Sequence, residues 1–129
     1  MKTRIILGAI IISMCLHSCS EKSHSLDYSK EPVKVAVPFA KGIISTENNS
    51  EFSLMFTPDG RKVYFSRRAP QEKQKIYESE FQNGTWTAPS LSEFSTDRDE
   101  APSITPNGEL FFFGSERPIP SKPNKGNFD

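Results

Sequence analysis

The feature that most constrains the fold is a stretch with the features of a β-hairpin that occurs twice, over residues 51–66 and 100–114. Each copy begins with Glu, contains Thr-Pro, a short polar residue and Gly, and continues into a run rich in aromatic residues. Pro58 and Pro106 lie 48 positions apart. The shared order and the fixed spacing indicate an internal repeat rather than two unrelated turns.

The requirements of the turn explain why both copies use the same residue types. Six residues define the two turns: Pro58, Asp59 and Gly60 in the first, and Pro106, Asn107 and Gly108 in the second. Proline sets the φ angle that the second position of a type I turn requires, and the short polar side chain bonds nearby backbone. Glycine then takes the left-handed conformation that closes a hairpin with a bulge. A strand-containing repeat of roughly 40–50 residues is typical of a β-propeller blade.

The hydrophobic pattern predicts the strands of this repeat. Four are predicted in the first copy, at residues 52–56, 62–66, 75–81 and 85–91, and two in the second, at 101–105 and 109–114. Asn83-Gly84 is a strong turn signal, and Pro89, which has no N–H to donate, places the fourth strand at an outer edge. Residues 37–46 resemble residues 88–96, so residues 33–46 are expected to be the last strand of a further blade.

These features together predict an all-β fold, a partial β-propeller with about one complete four-stranded antiparallel blade and parts of its neighbours. The first blade is expected at about residues 50–96 and part of the second at about 97–129. A closed propeller has at least four blades, so we expect the chain to be the N-terminal fragment of a larger one. A small self-contained β-sandwich is the alternative.

The N-terminus has the pattern of a targeting segment. Lys2 and Arg4 precede an apolar run over residues 5–14, which is shorter than the roughly 20 residues that a membrane-spanning helix needs. Residues 16–19, Leu-His-Ser-Cys, resemble a bacterial lipobox, which implies cleavage before Cys19 and acylation of that cysteine. Residues 1–18 would then be a lipoprotein signal peptide, and the polar residues 19–31 a flexible tether. The alternatives are modification at Cys15, an ordinary secretory signal and an uncleaved anchor.

A family resemblance rests on the repeat itself. Residues 57–66, Thr-Pro-Asp-Gly-Arg-Lys-Val-Tyr-Phe-Ser, resemble the signature of the PD40, or WD40-like, β-propeller repeat of TolB-type proteins. Residues 105–114 match it with Asn in place of Asp. Residues 84–89, 100–102 and 115–117 resemble the version found in envelope lipoproteins. The resemblance implies an incomplete PD40-type propeller over residues 32–129, located in the bacterial cell envelope at the outer membrane or on the periplasmic face.

The sequence contains no pattern typical of a catalytic, metal or cofactor site. His24 lies in the expected tether, so no histidine remains for a Ser-His-Asp arrangement or a zinc cluster in the mature fold. Asp97 and Asp99 lack the spacing of an EF-hand loop. Glu51 and Glu100 are a weaker candidate for a glycosidase-type carboxylate pair. We therefore expect no enzymatic activity, no cofactor and no metal.

Composition limits the partners. The chain has 16 basic and 16 acidic residues, a balance that argues against a nucleic-acid partner. The expected function is that of a lipid-anchored scaffold that binds a protein or peptide, attached to a membrane only through its lipid. The alternative is the propeller part of an envelope peptidase or glycan-processing enzyme, which a Gly-x-Ser-x-Gly segment further along the reading frame would favour.

Overall fold

The computed structural model describes Leu26, Tyr28 and residues 34–122, and this part of the chain is all-β. Its seven strands are β1 (Ser50–Phe56), β2 (Lys62–Arg68), β3 (Lys75–Gln82), β4 (Thr85–Trp86), β5 (Ser90–Leu91), β6 (Asp99–Ile104) and β7 (Phe111–Ser115). Every strand predicted from residue 50 onwards has a counterpart among them. The all-β expectation is thus confirmed for the described residues.

The first sheet is antiparallel and contains strands β1 to β5. β1 pairs with β2 and β2 with β3, while β4 and β5 both pair with the outer edge of β3. The single outer strand predicted at 85–91 is therefore two short strands. The chain between them contains Pro89, which has no N–H to donate, so the ladder is interrupted there.

The second sheet is the hairpin β6–β7, and its backbone repeats that of β1–β2. Each hairpin has a β-bulge near the start of its first strand, with Ser53 at φ 52° and Ala101 at φ 55°. These two residues are 48 positions apart, like the turn prolines. The strand register therefore makes Asp99 the counterpart of Glu51, whereas the sequence comparison paired Glu51 with Glu100.

One face of the first sheet is covered by residues 39–45, which form turns. The strand expected at 33–46 is wrong for the described residues 34–46. The amides of Ile43 and Ile44 both donate to the Ala40 carbonyl at 2.9 Å, and Ala40 and Gly42 have positive φ angles, which an extended strand excludes. This turn inserts Ile44 into a core with Val63 and Phe65, all three fully buried.

The opposite face of the sheet is covered by the second hairpin. β6 lies across β1, β2 and β3. The Tyr64 ring is 4.9 Å from that of Phe111, and the Ala101 amide donates to the Ser66 hydroxyl at 3.0 Å. Because side chains alternate along β2, Tyr64 and Ser66 contact the hairpin while Val63 and Phe65 face the segment on the other side. Strand β2 is thus covered on both faces.

Antiparallel connections separate the molecule into two ends. The turns after β1, β3 and β6 lie at one, called here the turn end, where Pro58 meets the second turn: a Cβ on Gly108 would be 3.5 Å from Pro58 Cγ. The connections after β2 and β5 lie at the other, called here the loop end. There Lys73, from the first of them, pairs with Glu116 at 3.4 Å.

Candidate binding groove at the turn end

The first repeated turn is held by its own side chains. The Thr57 hydroxyl donates to Asp59 Oδ1 at 2.6 Å, and the Arg61 amide donates to the same oxygen at 3.0 Å. The Gly60 amide donates to the Thr57 carbonyl at 2.8 Å, with Gly60 at φ 70°. The Asp59 carboxylate therefore organises the backbone of the turn.

The second turn has the same bonds. The Thr105 hydroxyl donates to Asn107 Oδ1 at 2.5 Å, and the Glu109 amide donates to that oxygen at 3.3 Å. The Gly108 amide donates to the Thr105 carbonyl at 2.8 Å, with Gly108 at φ 76°. A neutral amide thus takes the place of the carboxylate. The structure places all six residues singled out in the sequence in these two turns.

A groove of about 690 Å³ lies between the two turns. We call it the turn-end groove. It is lined by residues of the turns, of β2 and β3, and of the end of β6, among them Asp59, Arg61, Tyr64, Glu80 and Ile104. The groove offers two carboxylates, a guanidinium, an aromatic ring and an aliphatic side chain within one recess. Such a mixture suits a ligand with both polar and apolar groups.

A charged ladder crosses β2 and β3 beside the groove. Lys62 Nζ lies 3.1 Å from Glu80 and 3.2 Å from Glu78. The bond to Glu80, opposed by partial burial and reinforced by Glu78, raises the pKa of Lys62, while the Lys62 ammonium lowers the pKa of Glu80. Two carboxylates therefore hold this lysine charged and fixed.

The carboxylate of the first turn has a perturbed pKa. The hydrogen bonds from the Thr57 hydroxyl and the Arg61 amide hold the pKa of Asp59 below its ordinary value. Asp59 is exposed, so water screens these interactions. The turn is thus stabilised by a charge that its twin at Asn107 lacks.

Each hairpin has an acid–arginine pair at the loop end. In the first, Arg67 Nε donates to Glu51 Oε1 at 3.1 Å, and both side chains are largely buried. The Arg67 guanidinium also donates to the Ile44 carbonyl at 3.1 Å and lies over the rings of Phe65 and Tyr77. This arginine fastens the turn segment of residues 39–45 to the sheet.

The second pair is Asp99 and Arg117. Arg117 Nη2 lies 3.0 and 3.1 Å from the two oxygens of Asp99, which is fully buried, and its guanidinium lies over the Phe113 ring. Burial raises the pKa of Asp99, but bonds from Ser115, the Asp97 amide and Ser95, with the Arg117 charge, lower it below the ordinary value. Asp99 is therefore an ionised structural group.

The other candidate site residues from the sequence lie outside the turn-end groove. Glu51 is engaged by Arg67 and by the Thr46 hydroxyl at 2.7 Å, while Glu100 accepts a hydrogen bond from Gln74. Each carboxylate of the considered glycosidase pair is thus bound to its own neighbours.

Cys19 lies outside the described residues. Among those that the structure describes, no group of three or more His, Cys, Asp or Glu is placed to hold a metal, and no helix is long and apolar enough to cross a membrane.

Two features of the structure were missed in the sequence. Tyr28 falls within the predicted tether, yet its ring packs against the first sheet. A tyrosine and a leucine two positions apart, in an otherwise polar stretch, are the signal for this contact. Arg117 was noted only as part of a motif, and its pairing with Asp99 depends on a register that the residue pattern alone does not give.

Comparison with models of known protein families, with curated proteins and with solved structures finds no match.

Proposed function

We propose that this chain supplies one blade and the first hairpin of the next blade of a PD40-type β-propeller, carried by a lipid-anchored protein of the bacterial cell envelope. Its role is to bind a protein or peptide partner as a scaffold, without catalysing a reaction. The support comes from how the two repeats contact each other and from the groove between their turns.

The observation that carries the propeller proposal is the environment of Tyr64 and of its counterpart. Tyr64 contacts the second hairpin at Phe111. The position 48 residues later is Phe112, which is 55% exposed, and its neighbour Leu110 is 57% exposed. A further repeat stacked in the same relation would cover Phe112 as the second repeat covers Tyr64. Radial stacking of this kind generates a propeller.

The turn-end groove supports binding of a peptide. A peptide offers backbone donors and acceptors together with side chains, and the groove presents Asp59, Arg61 and Glu80 beside the Tyr64 ring. Because the groove lies between adjacent repeats, its shape depends on both hairpins being in place. The residues that form the two turns would thus also form the surface that recognises the peptide.

The binding proposal is tested with two matched charge reversals. Arg61 and Arg68 are exposed arginines at opposite ends of the same strand region, and only Arg61 lines the turn-end groove. Peptides are selected from a random display library on the immobilised protein, and their affinities are then measured by fluorescence anisotropy. We expect Arg61→Glu to weaken the selected peptides by about tenfold or more, the change expected from a lost charge-assisted contact, and Arg68→Glu to leave them unchanged. Equal effects of the two variants, or no selected peptide, would refute the groove as the binding site.

The lipid anchor is tested separately. Two acyl chains hold a protein on a membrane far better than one. We expect intact mass spectrometry of the membrane fraction to find the chain starting at Cys19 with added acyl mass, and the Cys19→Ser protein to be released. An unmodified chain in the soluble fraction would refute the anchor and leave the groove experiment unaffected.

A further inference from the structure

Tyr28 is docked on the first sheet although it lies only nine positions after Cys19. Its ring lies against four others, with centroid distances of 5.3–6.2 Å, from Phe39, Phe56, Phe81 and Trp86. Its hydroxyl donates to the Gly60 carbonyl at 2.5 Å. The ring is thus bound by aromatic packing and by one directed bond.

Leu26 reaches the same place. A Cβ on Gly60 would lie 3.3 Å from Leu26 Cδ1, so both side chains lie against this glycine. Leu26 and Tyr28 are therefore two neighbouring contacts of one short segment, which we call the docking segment.

The docking segment is attached at the turn end. Gly60 belongs to the first repeated turn, Phe56 immediately precedes that turn, and Phe81 and Trp86 flank the turn at residues 83–84. Every described contact of Tyr28 except Phe39 is therefore with a residue in or next to a turn at this end of the sheet.

We infer that the docking segment holds the turn end of the domain towards the membrane, which rests on the proposed lipidation of Cys19. The seven residue steps from Cys19 to Leu26 span at most about 25 Å at about 3.6 Å per residue, whatever their conformation. Without docking, the free chain would extend to Phe39, and its limit would be about 70 Å by the same measure. Docking thus shortens the free chain between the anchor and the domain and attaches that chain at the turn end, so the turn end lies nearer the membrane than the loop end.

The surface beside the docking segment fits a lipid headgroup region. Val35 is 76% and Val37 is 63% exposed. An apolar recess of about 500 Å³, lined in part by Val37, Pro38 and Tyr28, lies next to them. Exposed aliphatic side chains close to the anchor can enter the boundary of a bilayer, as apolar faces of peripheral proteins do. The loop end then faces the aqueous compartment, and the turn-end groove would take a peptide that lies near the membrane surface.

Docking itself is measured in the unlipidated Cys19→Ser protein. Trp86 is the chain's one tryptophan and lies 5.5 Å from the Tyr28 ring, so its fluorescence responds to loss of this contact. We expect Tyr28→Ala to shift the emission to longer wavelength and to increase quenching by acrylamide at least twofold. Tyr28→Phe, which keeps the ring, is expected to retain the parent spectrum. Unchanged emission in Tyr28→Ala would overturn docking.

Orientation is measured on the lipidated protein in vesicles of phosphatidylethanolamine and phosphatidylglycerol. A donor dye is placed at the turn end through Glu109→Cys or at the loop end through Glu72→Cys, both exposed positions, with an acceptor lipid in the bilayer. We expect greater energy transfer from position 109 than from position 72, and loss of the difference in Tyr28→Ala. Equal transfer in the parent, or a difference that survives Tyr28→Ala, would overturn the inference. If mass spectrometry finds Cys19 unmodified, the orientation fails together with the anchor, while the Trp86 measurement still decides docking.

Discussion

The two hairpins have the same local structure and different surroundings. β1–β2 and β6–β7 share the bulge, the turn bonds and the acid–arginine pair at the loop end. In the first, Val63 and Phe65 are fully buried, whereas their counterparts Phe111 and Phe113 in the second are only partly buried. Tyr64 packs on the second hairpin, while its counterpart Phe112 is 55% exposed. Turn chemistry and register are therefore set by nearby sequence, while burial depends on what packs against each face.

The hairpins also differ at their turns. The first turn is organised by a carboxylate and contacts the docking segment. The second is organised by an amide, and a Cβ on its glycine would meet, among the described residues, Pro58 alone within 4 Å. Each difference can be removed by a single substitution, because the repeat supplies the matched position.

The largest difference is expected in the aromatic residues of β2 and β7. Phe65→Ala would leave a cavity in a core that is covered on both faces, and we expect it to lower the free energy of unfolding by about 3–5 kcal/mol. Phe112→Ala removes an exposed ring and should cost less than about 0.5 kcal/mol. Urea unfolding followed by circular dichroism measures both. Similar costs at the two positions would contradict the assigned burial.

Asp99 should give the next largest effect. Asp99→Asn weakens the bonds to Arg117 and Ser95 and should cost about 2 kcal/mol at neutral pH, the range of hydrogen bonds to charged groups. The folded pKa of Asp99 is depressed, so its contribution is present above the ordinary aspartate pKa and is lost as pH falls through the folded value. Unfolding midpoints between pH 7 and 2.5 should fall less steeply in Asp99→Asn. A parallel pH profile would contradict this role.

The two turn glycines test the docking segment. Alanine at either position adopts the left-handed region at a cost of about 1–2 kcal/mol. Gly60→Ala also displaces the Tyr28 hydroxyl and Leu26, whereas a Cβ at Gly108 meets only Pro58 at ordinary contact distance. We therefore expect Gly60→Ala to be the more destabilising and to change Trp86 fluorescence. Equal stability and equal spectra in Gly60→Ala and Gly108→Ala would show that docking contributes nothing.

The smallest effect should come from exchanging the turn acceptors. Asp59→Asn gives the first turn the chemistry of the second, and Asn107→Asp does the reverse. Because the pKa of Asp59 is lowered in the folded protein, its stabilisation is present above the ordinary aspartate pKa and is lost as pH falls through the folded value. We expect Asp59→Asn to reduce the acid dependence of the thermal midpoint slightly and Asn107→Asp to increase it. Opposite signs would show that the turns are not equivalent.

The sequence predicted the parts of the fold that depend on local chemistry. The strands around Val63 and Phe111 were found because turn residues and alternating side chains define them within a few positions. The segment at 33–46 was assigned wrongly, since its likeness to residues 88–96 did not reveal the turn that buries Ile44. Which acid matches Glu51 was also missed. The 48-residue spacing of the turn prolines places Asp99, and not Glu100, at the position equivalent to Glu51, and the identity of the two glutamates obscured this.

The site was predicted less completely than the fold. The six turn residues could be named because their roles are fixed by backbone conformation, but the groove between the turns requires the packing of one repeat on another. Contacts such as that of Tyr28 with Gly60 join positions 32 residues apart. Residue patterns along the chain do not encode such distances, so these contacts appear only in three dimensions.

The central claim is that the second hairpin packs on the first sheet as one repeat on the next, and a double-mutant cycle on Tyr64 and Phe111 tests it most directly. Their rings are 4.9 Å apart, and such pairs couple by about 0.5–1.5 kcal/mol. The measurement is the unfolding free energy of both single variants to Ala and of the double variant, with Tyr64 and the outward-facing Phe112 as the control pair. The account predicts coupling in this range for Phe111 and none for Phe112. No coupling between Tyr64 and Phe111 would contradict the stacking of the repeats.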